Sequence, residues 1–303
     1  MAGEVLILAV SFAVGLAAQR ALPGERVRAR AWTAYFWTVV PVLVFYSFST
    51  VTFDRALGLA LAAAVAATWI VAGLGYAYAA AVAESRDERG ALALCAGFPN
   101  TGFVGYPLAQ IAFGTPGLAL AAVYDRLAWL VPATAISTTI ARLHGRREGV
   151  ANARARLRVS LANPPLVAAV GALALRVSGA HLGAAVTPLG HAAGAVVGPA
   201  GFLLLGLALP LDAPEHDGRE LRRAAGVLVI RFAVAPLVLF VTGAALGTSI
   251  PAAFYLAAAM PCAFHLLILA RVFDVRPQLV RLLVVASTVP AVAAVVAGAA
   301  IFR

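Results

Sequence analysis

Lysine is absent from this chain: all 23 basic residues are arginines, set against 13 acidic ones. Charge of any sign is scarce, at 12% of residues, about half of what a soluble globular domain carries. Too few polar groups remain to cover a water-soluble body of 303 residues. Cysteine is nearly missing as well. Cys95 and Cys262 both lie in apolar runs, which argues against a disulfide framework, and neither has the neighbours of a metal site. The chain has no His-Glu-x-x-His helix, no Gly-x-Ser-x-Gly elbow and no phosphate-binding Gly-Lys-Ser/Thr loop. No enzyme, cofactor or metal centre is therefore expected. The net charge of +10 comes without any folded basic domain, so a nucleic-acid surface is not expected either.

What the chain has in excess is apolar length. It is 62% hydrophobic with a mean hydropathy of +0.93. Apolar runs near 20 residues recur, each able to cross a hydrocarbon core of roughly 30 Å at about 1.5 Å per residue. The expected spans are residues 4–19, 31–51, 57–82, 90–113, 117–141, 159–176, 183–209, 224–246, 252–272 and 280–301, giving an all-α polytopic membrane protein of about ten transmembrane helices. Short loops leave no room for a separate soluble domain or an ATP-binding module. Glu4 precedes the first run and Arg20 follows it, the reverse of a secretory signal, so a retained helix is expected.

The arginines set an orientation. Arg20, Arg26, Arg28, Arg30, Arg86, Arg89, Arg142, Arg146, Arg147, Arg154, Arg156, Arg158, Arg219, Arg222, Arg223, Arg271, Arg276 and Arg281 fall on one side of such a topology. The other side receives Arg55, Arg176 and Arg303. The positive-inside rule makes the rich side cytoplasmic and places both termini outside an inner membrane. Arg126 and Arg231 fall inside spans, as does Asp125. An intramembrane charge normally faces the protein interior and is paired. Asp125 and Arg231 are candidate partners, with a role in anion or proton handling as the alternative.

Residues 97–107, Gly-Phe-Pro-Asn-Thr-Gly-Phe-Val-Gly-Tyr-Pro, interrupt the fourth run with two prolines, three glycines, an Asn and a Thr. Broken backbone at membrane depth is tolerated only where protein or a watery cavity satisfies it. Pro99 and Pro261 both lie about 15 Å into their spans, near the midplane. Pro41 and Pro199, Pro99 and Pro261, and Pro116 and Pro277 are each spaced by about 160 residues, which reads as an internal repeat. Each unit holds five spans, an odd number, so the second copy enters inverted. Residues 1–142 form the first repeat, 143–158 a basic cytoplasmic loop, and 159–303 the second. Paired broken helices in inverted repeats are a transporter plan, with the site where they meet. Pro99 and Pro261 mark the breaks. Asn100 and Thr101 are suited to cap the second half of span four, whose N-terminus favours an anion. Gly102 permits close approach of helix or ligand. Cys262 and His265 follow the second break, and Tyr46 and Ser47 are candidate lining residues from span two. His191 is read as structural.

The segment Phe98-Pro99-Asn100-Thr101-Gly102-Phe103-Val104-Gly105-Tyr106-Pro107-Leu108 resembles the fourth helix of the auxin efflux carrier family, which includes plant PIN carriers and bacterial malonate-permease-like proteins. Ala259–Phe273, Asn163-Pro164, Gly206–Leu209 and Arg231–Pro236 extend the likeness over most of the chain. The resemblance implies a fold shared with bile-acid:sodium symporters, with helices four and nine crossing in a scaffold of spans 3–5 and 8–10. Spans 1–2 and 6–7 would form the moving part, or the converse. It further implies secondary transport of small organic anions such as carboxylates or auxin-like acids, with Asn100 near the carboxylate. A proton or the membrane potential is a candidate driving force, and a homodimer a candidate assembly. His265 departs from the Asn that relatives often carry there. A histidine is a poor oxygen-ligand replacement, which weighs against sodium coupling, while a titrating imidazole could bind the anion or relay a proton. The alternatives are a non-transporting receptor or scaffold and a sodium-coupled bile-acid-type symporter.

Overall fold

The computed structural model describes residues 2–21, 25–130, 133–147, 163–179, 183–209 and 217–301. Arg154, Arg156, Arg158, Arg303 and most of the basic loop lie outside the described residues. The described residues are helical and contain no strand. In chain order the helices are α1 (Ala2–Ala21), α2 (Glu25–Thr50), α3 (Arg55–Val82), α4 (Arg86–Gly97), α5 (Tyr106–Tyr124), α6 (Thr138–His144) and α7 (Pro164–Val177). They continue as α8 (Gly183–Ala208), α9 (Gly218–Val229), α10 (Ala235–Ala245), α11 (Ala252–Ala258), α12 (His265–Phe273) and α13 (Pro277–Ile301). Turns of π-helix at Thr101–Gly105, Asp125–Trp129, Ala133–Ser137 and Ile230–Val234 join several of them.

Among the described residues, six stretches are long and apolar enough to cross a membrane: Arg30–Thr50, Arg55–Val82, Thr101–Trp129, Ala185–Ala208, Gly218–Ala245 and Pro277–Ala294. The chain is thus a multi-span helical protein, with fewer uninterrupted spans than the apolar runs suggest. The difference has local causes. Gly3–Gln19 and Pro164–Val177 are apolar but shorter. The ninth run is split at its proline into α11 and α12, and the fourth is cut at Phe98–Asn100. Within Thr101–Trp129 the chain reverses at Gly114, whose φ of 66° suits a residue without Cβ, with Pro116 just beyond. That places the boundary of the fourth and fifth runs where the sequence places it.

Small residues carry the packing, as expected where lipid removes the usual hydrophobic drive between helices. The buried face of α3 is Ala60, Ala63, Ala64, Ala67 and Ala72, and α4 meets it with Ala91, Ala93 and Ala96. Helices α1 and α8 approach so closely that a Cβ on Gly15 would lie 2.1 Å from the Leu203 carbonyl oxygen, and one on Gly206 2.2 Å from that of Phe12. Gln19 Nε2 then caps α8, donating to the carbonyls of Gly206 (2.6 Å) and Leu209 (2.7 Å). Helices α1, α2, α7 and α8 pack on one another, while α3, α4, α10 and α13 gather around the two broken helices.

One end of the helical body holds an ion network. Glu88, fully buried, pairs with Arg223 (2.7 Å) and Arg276 (3.6 Å); Arg276 also reaches Glu220 (3.2 Å), and Arg223 reaches Glu84 (2.6 Å). Ser85 caps α4 by accepting from the Glu88 N–H. The start of α4 is therefore clamped to α9 and to the turn before α13.

Candidate functional site

Proline has no N–H and blocks the helix behind it, so each break leaves backbone groups to be satisfied. The two breaks satisfy each other. Asn100 N donates to the Pro261 carbonyl (2.7 Å) and Ala263 N to the Phe98 carbonyl (2.9 Å), making an antiparallel bridge between Pro99 and Cys262. The helix-break pair Pro99 and Pro261 is thus a physical crossover, with two half-helices ending on one side and two beginning on the other.

On the ending side lies Arg231, fully buried. Its guanidinium donates to the carbonyls of Ala96 (3.1 Å), Ala258 (2.5 Å) and Met260 (3.3 Å). One cation therefore caps the C-terminal ends of both α4 and α11, where the helix dipoles are negative. The expected Asp125–Arg231 pair does not form, because Arg231 is held by three carbonyls on the opposite face of the crossover.

On the beginning side lies a cavity of about 290 Å³. Its polar wall holds Asn100, Thr101 and Gly102 from the first break, His265 from the second, and Asp125, Arg126 and Trp129 from a π turn. Tyr35, Phe36 and Val40 of α2 and Asn163, the N-cap of α7, close it from the other side. Asn100 does cap the second half of the broken helix, its Oδ1 accepting from the Phe103 N–H at 3.2 Å. A Cβ built on Gly102 would meet nothing within 4 Å, so this glycine keeps cavity space open. His265 opens α12 and stands edge-on to Trp129, ring centroids 5.5 Å apart.

Asp125 finds its counter-charge next door. Arg126 Nη2 donates to Asp125 Oδ2, Tyr106 Oη donates to the same oxygen at 2.5 Å, and Thr101 Oγ1 donates to Oδ1. Neighbouring side chains diverge on a regular α-helix. Here a π turn, a form that recurs at functional sites, carries both toward the cavity. Three buried N–H groups on the cavity wall have no protein partner: Asn100 Nδ2, Arg126 Nε and Trp129 Nε1. Buried donors are ordinarily paired, so three unpaired ones on one wall leave this wall rich in free donors.

The other expected site residues sit elsewhere. Cys262 turns away behind the crossover, its Sγ donating to the Cys95 carbonyl (3.3 Å) and its N–H to Ser287 Oγ (3.0 Å). Tyr46 and Ser47 lie about 16 Å further along α2 than Tyr35. Tyr46 lines a separate cavity of about 470 Å³ with Asp54, Thr115 and Ser249, and packs against His191. Ser47 donates its hydroxyl proton to the Leu43 carbonyl within its own helix. Arg126 and Trp129 are the wall residues that sequence reasoning passed over. Intramembrane charge flags Arg126, but its spacing from Asp125 does not announce a pair.

No curated protein matches the chain in sequence. The profile of a family described as membrane transport protein matches residues 34–297, which includes the crossover, the cavity wall and both helix breaks. The chain belongs to this family of membrane transport proteins, the auxin efflux carrier family.

Proposed function

We propose that this protein is a secondary carrier of small organic anions, carboxylates above all, with the cavity beside the crossover as its binding site. The observation that carries the proposal is the meeting of two helix beginnings with three unpartnered N–H donors on one wall. Each helix start presents free amides and the positive end of a dipole, and an anion satisfies both. Asn100 and Arg126 supply donors, Thr101 and Gly102 shape the entrance to the half-helix, and His265 faces the same space. Tyr35 and Phe36 offer an apolar wall to the body of the acid.

The cavity lies between the cluster of α1, α2, α7 and α8 and the helices around the crossover, so sliding of one against the other would open it alternately to each side. In this reading the breaks belong to spans four and nine of two inverted five-helix repeats. The arginine-rich end, with Arg86, Arg146, Arg223 and Arg276, faces the cytoplasm. Thr138 and Asn163 at the cavity's mouth then make it the cytoplasmic-side cavity, and the space lined by Asp54 and Thr115 its counterpart outside.

Thermal unfolding of the purified protein with malonate, benzoate, indole-3-acetate and cholate tests the assignment. At least one acid should raise the melting temperature of the wild type and leave that of Asn100→Ala unmoved. No shift in the wild type with any of them would remove the anion site, and equal shifts in both proteins would move it away from Asn100.

A further inference from the structure

We propose that this carrier takes up one proton with each monovalent anion, and that Asp125 is the group that receives it, released from Arg126 by the arriving carboxylate. The inference rests on the anion site described above and adds the coupling ion.

The geometry begins with a half-filled fork. A guanidinium binds carboxylates best along an edge with two parallel N–H donors. Arg126 has Nη2 on Asp125 and interacts with the Tyr106 hydroxyl, while Nε makes no hydrogen bond, and both Asp125 and Arg126 line the cavity. A substrate carboxylate that completes the edge takes Nε and competes for Nη2. Asp125 is then left with two hydroxyl donors, Thr101 Oγ1 and Tyr106 Oη, and no cation. Asp125 is 1% exposed, and an unpaired charge in such surroundings is strongly unfavourable. Protonation removes the charge. The hydroxyls can accept as well as donate, so Thr101 or Tyr106 rotates to receive the new O–H.

The exchange balances. An Asp125 carboxylate paired with Arg126, plus a substrate carboxylate and one proton from water, becomes a neutral Asp125 acid and an Arg126–substrate pair. The site is neutral before and after, so no net charge enters the low-dielectric interior. Among the described residues, nothing else nearby supplies a counter-charge. Around Asp125 the charged or titratable groups among the described residues are Arg126 on its own turn, Tyr106 and Tyr124 on α5 and His265 on α12. Helix α3, packed against the same turn, carries no charge between Arg55 and Glu84. Tyr35 of α2 lines the cavity, and Arg231 is engaged by carbonyls beyond the crossover.

Calorimetric titration of the full chain with malonate, benzoate, indole-3-acetate and cholate, run in Tris and in HEPES at one pH, counts protons taken from the buffer. The wild type should take up about one proton per bound monovalent anion, and its affinity should fall about tenfold per pH unit on the alkaline side. Asp125→Asn, which mimics the protonated acid, should bind with no proton uptake and little pH dependence, whereas His265→Asn should keep the uptake. A wild-type proton count near zero with clear binding overturns the coupling and leaves the anion site standing. Uptake that persists in Asp125→Asn, or disappears in His265→Asn, assigns the proton elsewhere and also overturns it. Binding of none of the acids overturns the anion reading itself. Should Asp125→Asn fail to fold, the wild-type count and the His265→Asn result decide the matter.

Discussion

The two faces of the crossover are built from the same material and finished differently. Both carry a pair of half-helix ends, a buried arginine and backbone groups freed by proline. On the face where helices end, every nitrogen of Arg231 meets a carbonyl, and the void beside it is only about 10 Å³. On the face where helices begin, Arg126 shares its charge with Asp125, leaves Nε without a partner and borders about 290 Å³ of space. A saturated arginine holds a structure in one shape, whereas an unsaturated one next to a cavity keeps a donor free. The comparison divides two intramembrane arginines that look equivalent in the sequence.

The strongest way to break it is to remove Arg231. Arg231→Met preserves apolar bulk but uncaps two buried helix ends, leaving the carbonyls of Ala96, Ala258 and Met260 without their donor. The expected cost is about 3 kcal/mol or more, because each stranded buried group costs on the order of 1 kcal/mol upward. Arg231→Lys should fall between, since one ammonium cannot span three carbonyls with the geometry of a planar fork. Melting of the detergent-purified variants measures this. An Arg231→Met protein as stable as wild type but unable to bind anions would reverse the assignment of the two faces.

Much of this division is legible in the sequence, and part is not. That the breaks at Pro99 and Pro261 meet is foreshadowed by their places inside the fourth and ninth apolar runs and by the spacing of the prolines. The cap made by Asn100 follows from its place just after a break. The sequence misleads at residues whose direction, not position, decides their role. Cys262 is adjacent to Pro261 yet points at Cys95, and Ser47 returns its hydroxyl to its own helix. Residue order points Asp125 to a distant partner because adjacent side chains diverge on an α-helix, and the π turn that joins it to Arg126 is not visible there. Tyr46 and Tyr35 are indistinguishable as tyrosines of one helix; three turns of rise separate one cavity from another.

A change of intermediate size targets the open face alone. Gly102→Leu projects a side chain into empty space, since no heavy atom lies within 4 Å of the position its Cβ would take. Replacing glycine within a helical segment is favourable by up to about 1 kcal/mol, so the melting temperature should hold or rise slightly. The thermal shift given by the best acid should vanish. Cys262→Ala, beside the other break but outside the cavity, should leave that shift in place. Loss of binding in both variants would mean that general disturbance of the crossover, not occupancy of the cavity, was being measured.

The smallest effect comes from the far end of α4 and asks whether the closed face depends on how that helix is anchored. Helix α4 runs from the acidic pair Asp87 and Glu88 to the Arg231 cap. Asp87 lies in this terminal network, outside the membrane-spanning segments, with Arg146 2.8 Å away. Burial alone would raise its pKa; the Ser85 hydroxyl and the charge of Arg146 outweigh that and hold it below the usual carboxylate value. A pKa lower in the folded than in the unfolded state contributes stability that is present above the unfolded value and lost as pH falls through the folded one. Arg146 is 69% exposed, so solvent screens the pair and its contribution should be about 0.5–1 kcal/mol at most. Melting measured from pH 6 down to about pH 3 should therefore show an acid-side loss that Asp87→Asn makes shallower. The variant's small deficit should appear at pH 6 and shrink as the wild type is protonated. Anion-induced stabilisation at pH 6 should be the same in both proteins, because the anchor of α4 and the cavity lie at opposite ends of the half-helix that Arg231 closes.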